Sequence, residues 1–292
     1  MEVMRYRLVF FTLSAVLLLV SLGSLLGFRL KPAVDFTGGS LIEIAVLDTA
    51  IESQEISEIL DNQYPIASVQ SVDEGRFILK TAEFSNADKD MVIETLSGQV
   101  GAVEVLRFET VGATVSQELL SKTVAAVILV TILITLYVWY QFKDLKFGVC
   151  AILAMFHDTI ILLGSFSILG YLYGVEVDML FVSAVLTTLS FSVHDTIVVF
   201  DRVRELRKRN PVTEMTTLVN TAVLETLSRS LNNSITIFIV LFSLVLLGGV
   251  TIRWFAVALL IGAVVGTYSS TFVAAPLLVV WDGVQKRLKK KK

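Results

Sequence analysis

The chain contains six apolar stretches, most of them long enough to cross a membrane as a helix. About 20 helical residues, rising 1.5 Å each, cover roughly 30 Å of hydrocarbon. The stretches lie at residues 8–28, 123–142, 147–171, 178–200, 233–249 and 254–281. The fifth is the shortest, and we expect its helix to begin earlier, near Ser228. Because 54% of all residues are hydrophobic, the sequence predicts an α-helical polytopic membrane protein with six transmembrane helices.

The first stretch follows Arg5 and Arg7, as the core of a secretory signal peptide would. It is longer than a typical signal core, and residues 27–33 lack a small-x-small cleavage pattern. We therefore expect an uncleaved first span.

Charge is distributed unequally along the chain. Residues 31–120 contain 16 acidic and 5 basic residues, whereas the remainder contains 19 basic and 11 acidic residues. With six spans, the basic connections share one side, which the positive-inside rule makes the cytoplasm. These basic residues are Arg5, Arg7, Lys143, Lys146, Arg202, Arg204, Arg207, Lys208, Arg209, Lys286, Arg287 and Lys289 to Lys292. Both termini are then expected in the cytoplasm.

The acidic segment 31–120 has the pattern of a small folded domain. Strands are predicted at 41–46, 66–72, 77–81 and 103–111, and helices at 53–62 and 86–96. This βαββαβ order predicts an extracytoplasmic α+β domain of ferredoxin-like type, with another small α+β arrangement as the alternative. Its acidity disfavours nucleic-acid binding, which requires a basic surface.

We divide the chain into four parts on these patterns. They are a cytoplasmic N-terminus with the first span (1–30), the extracytoplasmic domain (31–120), the bundle of spans two to six with a cytoplasmic loop at 201–228 (121–285), and a basic cytoplasmic tail (286–292).

A repeated His-Asp-Thr-Ile motif places ionisable residues inside two consecutive spans. The pairs are His157-Asp158 in the third span and His194-Asp195 in the fourth, and these are the two histidines of the chain. A carboxylate in hydrocarbon costs a few kcal/mol or more unless it is neutralised, paired or hydrated. Arg229 on the fifth span is a candidate partner for Asp195. Such a cluster can act as an ion relay or can merely fix the helix register.

Polar residues at helical spacing support a meeting of these helices. Thr188, Ser192 and Asp195 form a stripe on the fourth span, and Asp158 and Ser165 lie one heptad apart on the third. On the fifth span we expect the inward face to carry Arg229, Asn233, Thr236 and Ser243. Neighbouring His and Asp side chains point about 100° apart on a helix, and no H-E-x-x-H motif is present, so a metal site is disfavoured. No cofactor is expected, and a G-x-S-x-G hydrolase motif is also missing.

Two further motifs concern packing and turns. Ala258, Gly262, Gly266, Ser270 and Ala274 form a ridge of small residues on the sixth span, against which another helix can pack closely. Asp35-Phe36-Thr37-Gly38-Gly39 follows the first span, where paired glycines permit unusual backbone angles. Cys150, the one cysteine, is interpreted as a small buried apolar residue.

These residues together resemble the SecF family, within the resistance–nodulation–division superfamily. Asp35, Phe36, Gly38 and Gly39 are similar to its D-F-x-G-G signature, and the segment from His194 to Arg202 is similar to its N-D-T-V-V-V-F-D-R motif. That second motif includes Thr196, Phe200, Asp201 and Arg202. Residues 228–232 resemble the basic motif that opens the fifth span. His194 stands where the family usually has Asn.

The resemblance implies a non-enzymatic auxiliary subunit of the Sec protein translocase. Such a subunit acts with SecD and the SecYEG channel, often with YajC, and uses a proton or sodium gradient to promote passage of unfolded preproteins. Asp195 would be the ion-coupling carboxylate and Arg229 its cationic partner. The alternative is a half-transporter that exports lipids or small hydrophobic molecules, and a more distant one is an intramembrane hydrolase.

Overall fold

The structure, a computed structural model, describes residues 2–47, 51–61, 63–73, 75–142 and 144–290. Contacts divide the chain into two compact units, Pro32–Ala125 and the remainder. The elements in chain order are a 3₁₀ turn Val3–Tyr6, α1 Arg7–Gly27, α2 Val34–Thr37, β1 Gly39–Val46, α3 Ser53–Asp61, β2 Ile66–Asp73, β3 Arg76–Thr81, α4 Asn86–Val100, β4 Val103–Val111, α5 Ala113–Phe142, α6 Leu145–Tyr173, α7 Met179–Arg209, α8 Met215–Leu247, α9 Val250–Ser269, a π-helical turn Ser270–Ala274 and α10 Ala275–Lys290.

Six helical stretches of the described residues are long and apolar enough to cross a membrane, which confirms the predicted spans. They are α1, α5, α6, α7, α8 and the continuous stretch from α9 to α10. The protein is therefore a multi-pass membrane protein. Lys143, one of the residues used to predict its orientation, lies outside the described residues, as do the last two lysines.

The connection between the fourth and fifth spans is mostly helical rather than a loop across 201–228. α7 continues to Arg209 and α8 begins at Met215. Arg202 donates to Glu225 at 2.6 Å, and Arg209 donates to Glu205 at 2.6 Å. These ion pairs stabilise the polar turns of α7 and α8 that lie beyond the apolar stretches. Oppositely charged side chains that pair on exposed helices stabilise the helical conformation.

Helices α1 and α6 approach closely through small residues. A methyl group on Gly164 would lie 2.3 Å from Cβ of Ser21, so only glycine fits at that position. Ser24 donates to the carbonyl of Gly164 at 3.0 Å, and Ser167 donates back to the carbonyl of Ser24 at 2.8 Å. These hydrogen bonds, together with close backbone approach, hold the first span against the third without charged groups.

The Pro32–Ala125 unit has one antiparallel sheet with strand order β2-β3-β1-β4. β1 pairs with both β3 and β4, as the split βαβ arrangement requires, and this confirms the predicted ferredoxin-like order. Ile42 and Ile44 of β1 are fully buried against Ile56 and Leu60 of α3 and Leu96 of α4. Asn62, the last residue of the helix predicted at 53–62, and Glu74, between the strands predicted at 66–72 and 77–81, lie outside the described residues.

Candidate functional site

Asp158 is fully buried on α6, at a place where α6 meets α9. One carboxylate oxygen accepts a hydrogen bond from the hydroxyl of Ser269 at 2.6 Å. The other lies 2.8 Å from Nδ1 of His157, the preceding residue on the same helix. The carboxyl is thus held on both sides by protein groups, as a buried acid requires.

Buried polar side chains on α6 and α7 retain unused hydrogen-bonding capacity. His157 Nε2, Thr188 Oγ1 and Ser192 Oγ are buried and make no hydrogen bond to any described residue. Ser192 of α7 faces the Asp158 carboxyl and lies close enough to influence it, but its hydroxyl is not aligned for a regular hydrogen bond. Leaving such atoms unpaired costs about 1–3 kcal/mol each, so small shifts or a water that pairs them would be favourable.

Asp195 lies on α7, half-buried, and is bound from α8. The hydroxyl of Ser230 donates to its carboxylate at 3.0 Å. A pocket of about 20 Å³ adjoins it, lined in part by His194, Asn233 and Thr267. This volume is enough for about one water molecule. Asp195 therefore combines a hydroxyl partner with access for a water-sized species, whereas His194 itself is exposed.

Arg229 does not pair with Asp195 in this structure, so the predicted ion pair is not formed. Its side chain is exposed, while the next residue, Ser230, is 7% exposed and contacts the carboxylate. Consecutive residues point about 100° apart on a helix, so α8 can turn only one of them toward α7. The predicted inward face of α8 is also offset: Thr236 and Ser243 are exposed and bind their own helix, whereas Asn233 is exposed but lines the pocket beside Asp195. The buried face carries Thr226, Ser230 and Ser234.

The two acids lie at a similar level in the bundle. Gly266 and Thr267 of α9 line the pocket at Asp195, and Ser269 of the same helix binds Asp158. Residues two or three apart on a helix are separated by roughly 3–5 Å along its axis. The contact between α7 and α9 therefore separates the two acidic sites, with Ser192 and Gly266 in it.

The ridge of small residues on the last span packs against α7 of this chain. A methyl group on Gly262 would lie 2.1 Å from Thr188 Oγ1, and one on Gly266 would lie 3.4 Å from Cα of Ser192. Directly after Ser269 the helix forms a π-helical turn, Ser270–Ala274. Such turns interrupt the regular backbone ladder and are frequent at functional sites.

The motif residues that end the fourth span build a junction at the end of the bundle. Thr196 is fully buried and donates to the carbonyl of Ser192 at 2.9 Å. Phe200 packs edge-on against Phe142 and Phe147, with ring centroids 5.7 and 5.4 Å away. The carboxylate of Asp201 binds Arg204 at 3.1 Å, and Arg202 joins α7 to α8 through Glu225. None of these four side chains forms a hydrogen bond or an ion pair with Asp158 or Asp195 in the described part of the chain.

The Asp35-Phe36-Thr37-Gly38-Gly39 segment forms α2 and the turn into β1. Gly38 and Gly39 have φ angles of +75° and +114°, which L side chains rarely adopt. A methyl group on Gly39 would lie 2.5 Å from the carbonyl oxygen of Thr81. The paired glycines are thus required by the turn. Asp35 and Phe36 are half-buried, in the short helix before it.

Two residues that contact the acids directly, Ser230 and Ser269, were not singled out from the sequence. Ser230 belongs to the Thr226-Ser230-Ser234 stripe, whose regular spacing of four is visible in the sequence and could have identified it. Ser269 has no such pattern, because it neighbours the small-residue ridge without belonging to it. Ser165, expected on the same helix face as Asp158 and one heptad away, is half-buried and donates to the carbonyl of Ile161 in its own helix.

The six spanning helices and the acids among them define a multi-pass membrane protein with ionisable side chains inside its helix bundle. Comparison with known proteins identifies the family. The profile described as protein export membrane protein SecD/SecF, C-terminal, matches residues 92–284. The protein translocase subunit SecF of Thermobaculum terrenum is 37% identical, covering 96% of this chain and 94% of that protein. SecF of Anaerolinea thermophila is 34% identical over 98% of this chain and 96% of that protein.

Solved structures agree with these relatives. The crystal structure of SecDF, a translocon-associated membrane protein from Thermus thermophilus, superposes with a TM-score of 0.87 at 31% identity and 97% coverage of this chain. A second SecDF structure, in a super-membrane-facing form, gives a TM-score of 0.73 at 29% identity over the full chain. This chain spans only 39% and 40% of those two proteins. The chain belongs to the SecD/SecF family of protein-export membrane proteins, and the resemblance seen in its motifs is confirmed.

Proposed function

We propose that this protein is an auxiliary subunit of the Sec translocase that couples an ion gradient to the passage of preproteins. It would act in the bacterial cytoplasmic membrane with both termini in the cytoplasm, beside a SecD-like subunit and the SecYEG channel, with YajC as a further candidate partner. The near full-length similarity to SecF subunits supports the translocase role. The coverage of 39% of SecDF supports a partner that supplies the remaining part.

The observation that carries the coupling mechanism is the placement of two acids on either side of the α7–α9 contact. An ionised carboxylate is costly in a membrane interior and is tolerated where water or a partner reaches it. Asp195 has a water-sized pocket, whereas Asp158 is fully buried between His157 and Ser269. An ion or proton can therefore reach Asp195 in this arrangement, and access to Asp158 requires α7 and α9 to separate.

The contact between α7 and α9 is suited to such a movement. It is formed by Gly262 and Gly266 against Thr188 and Ser192, so few side-chain atoms must be displaced. With the contact closed, the hydroxyls of Thr188 and Ser192 make no regular hydrogen bond to the residues that the structure describes. Opening would hydrate them, which offsets part of the cost of separating the helices.

Arg229 would act on Asp195 in another stage of the cycle. A rotation of α8 by about 100° would replace Ser230 with Arg229 at the carboxylate. His194 would serve as a polar group at the mouth of the pocket, which it lines. His157 would hold Asp158 through its Nδ1 contact.

The pocket beside Asp195 supports export of lipids less well than it supports ion coupling. Its volume of about 20 Å³ fits a water molecule and is far too small for a lipid chain. The size of this pocket therefore favours ion coupling over transport of a hydrophobic molecule through the same site.

The test is gradient-stimulated export in vesicles that contain this protein, the SecD-like subunit and the channel. Asp195→Asn and Asp158→Asn should assemble with the partners and lose the stimulation by a gradient. The matched control is Asp90→Asn, since the Asp90 side chain is 71% exposed on α4. Full stimulation in both intramembrane variants would contradict the proposed coupling.

A further inference from the structure

We propose that a cavity at the start of the first span binds the headgroup of an anionic phospholipid. The cavity measures about 480 Å³, within the range of roughly 300–1,000 Å³ that is common for small-molecule sites. The 3₁₀ turn and the start of α1 form one side of the cavity, and the start of α8 forms the other. Its lining consists of Glu2, Met4, Arg5, Arg7, Leu8, Thr216, Thr217 and Asn220.

The polar lining has the composition of a phosphate site. Arg5 and Arg7 supply two permanent positive charges, and guanidinium groups bind phosphate oxygens with two parallel hydrogen bonds. Thr216 and Thr217 add two hydroxyl donors from the first turn of α8. The N-cap residue, Glu214, makes no side-chain cap, so the backbone N–H groups of that turn are left without a side-chain partner from the cap and can bind an anion.

The position of the cavity favours a lipid over a soluble phosphate compound. The backbone N–H of Met4 donates to Asn220 at 3.3 Å, which fixes the start of α8 beside the residues that precede the first span. Leu8, on the cavity wall, is 74% exposed, and Val9 beside it is 61% exposed. A headgroup in the cavity can therefore continue into acyl chains along the apolar surface of α1, as expected for basic pockets at the membrane interface.

Glu2 restricts the type of headgroup. Its carboxylate lines the same cavity and would repel a phosphomonoester, which carries up to two negative charges. It can accept hydrogen bonds from a headgroup hydroxyl. The cavity therefore suits a phosphodiester with hydroxyl groups, such as phosphatidylglycerol, better than phosphatidic acid.

This site is separate from the intramembrane acids. Thr216 and Ser230 are 14 residues apart on α8, which corresponds to roughly 21 Å along the helix. The proposal depends on the chain lying in a membrane and not on ion coupling, so lipid binding and gradient-stimulated export can fail independently.

Native mass spectrometry of the purified full-length protein, with any SecD-like subunit that co-purifies, tests the proposal. Phosphatidylglycerol is titrated against wild type, Arg5→Gln, Arg7→Gln and Arg287→Gln, the last being an exposed arginine outside the cavity. Each cavity arginine should contribute about fivefold to affinity, from about 1 kcal/mol per basic residue near a lipid surface. Arg287→Gln should bind like wild type.

Two further variants keep the test decisive if an arginine variant fails to fold. Thr216→Val removes a hydroxyl without a change of charge and should weaken binding of phosphatidylglycerol severalfold. Glu2→Gln should tighten binding of phosphatidic acid relative to phosphatidylglycerol. Equal loss in Arg287→Gln and the cavity variants, or no loss in any of them, would overturn the proposal. Displacement of the lipid by millimolar inorganic phosphate would overturn the lipid as the source of the phosphate.

Discussion

The carboxylate of Asp158 on α6 accepts a 2.6 Å hydrogen bond from Ser269, the last residue of α9 before the π-helical turn. This bond joins the third span to the sixth at a fully buried position. It places an acid directly beside an irregular piece of backbone. A change in the charge of Asp158 would therefore alter the position of the turn, and a shift of the turn would alter the surroundings of the acid. A charge-sensitive helix contact needs this arrangement.

Ser269→Ala should destabilise the protein because it leaves one oxygen of Asp158 without its partner. The expected cost is about 1–3 kcal/mol, the penalty for an unpaired buried acceptor. Thermal unfolding in detergent measures it. Ser270→Ala is the matched control: that serine is equally buried but donates only to the carbonyl of Thr267. Equal stability of the two variants would argue against an important Asp158–Ser269 bond.

Ser230→Ala should alter the environment of Asp195, whereas Arg229→Gln should leave it unchanged without a gradient. Ser230 donates to that carboxylate at 3.0 Å, and Arg229 is exposed. Infrared difference spectra, with Asp195→Asn used to assign the carboxyl band, measure this directly. The opposite pattern, with a shift only in Arg229→Gln, would show that the arginine contacts the acid in the resting protein.

Gly262→Ala should destabilise the bundle more than Gly266→Ala. The added methyl would lie 2.1 Å from Thr188 Oγ1 in the first case and 3.4 Å from Ser192 Cα in the second. Overpacking of this kind typically costs about 1–3 kcal/mol, whereas a contact near van der Waals distance needs only a small adjustment. Unfolding midpoints of both variants check the difference, and Gly23→Ala is a control with open space around the new methyl.

The amino end of α4 should become less protected in acid. Ser85 and Asp88 form a capping box, in which hydrogen bonds from Ser85 hold the pKa of the Asp88 carboxyl below its usual range. A depressed pKa means that this stabilisation is complete above the ordinary aspartate value and is lost as pH falls through the lower folded-state value. Hydrogen exchange of α4 amides between pH 5 and pH 3 should show the loss in wild type.

Ser85→Ala provides the matching variant for that experiment. Removal of a serine cap typically costs about 1 kcal/mol, so protection of the first turn of α4 should already be lower at neutral pH. The variant should also respond less to acid than wild type does. An unchanged acid response in Ser85→Ala would show that the box does not govern the stability of this helix end.

The sequence predicted the number of spans and the order of the α/β unit because both follow from long patterns. Twenty apolar residues leave few alternatives to a spanning helix, and the alternation in Val103–Val111 marks a strand of the same bounds in the structure. The apolar patterns were less informative about helix ends. α8 begins at Met215, well before its apolar stretch, since ion pairs and packing support the polar turns there.

The contacts of the candidate site could be predicted only in part. His157 and Asp158 were identified from the motif, and they do lie together at 2.8 Å. Arg229 and Ser230 are both polar, and nothing local to the sequence decides which one faces α7. That choice depends on how α8 packs as a whole, so an error of one residue changed the predicted partner of Asp195.

The proposed coupling requires α7 and α9 to separate when the gradient drives export, and a reversible cross-link tests this movement most directly. Cβ atoms at positions 266 and 192 would be 3.8 Å apart, the usual separation in a disulfide. Gly266→Cys with Ser192→Cys, in a Cys150→Ala background, should lose gradient-stimulated export when oxidised and regain it on reduction. Full stimulation by the oxidised, cross-linked protein would contradict the account.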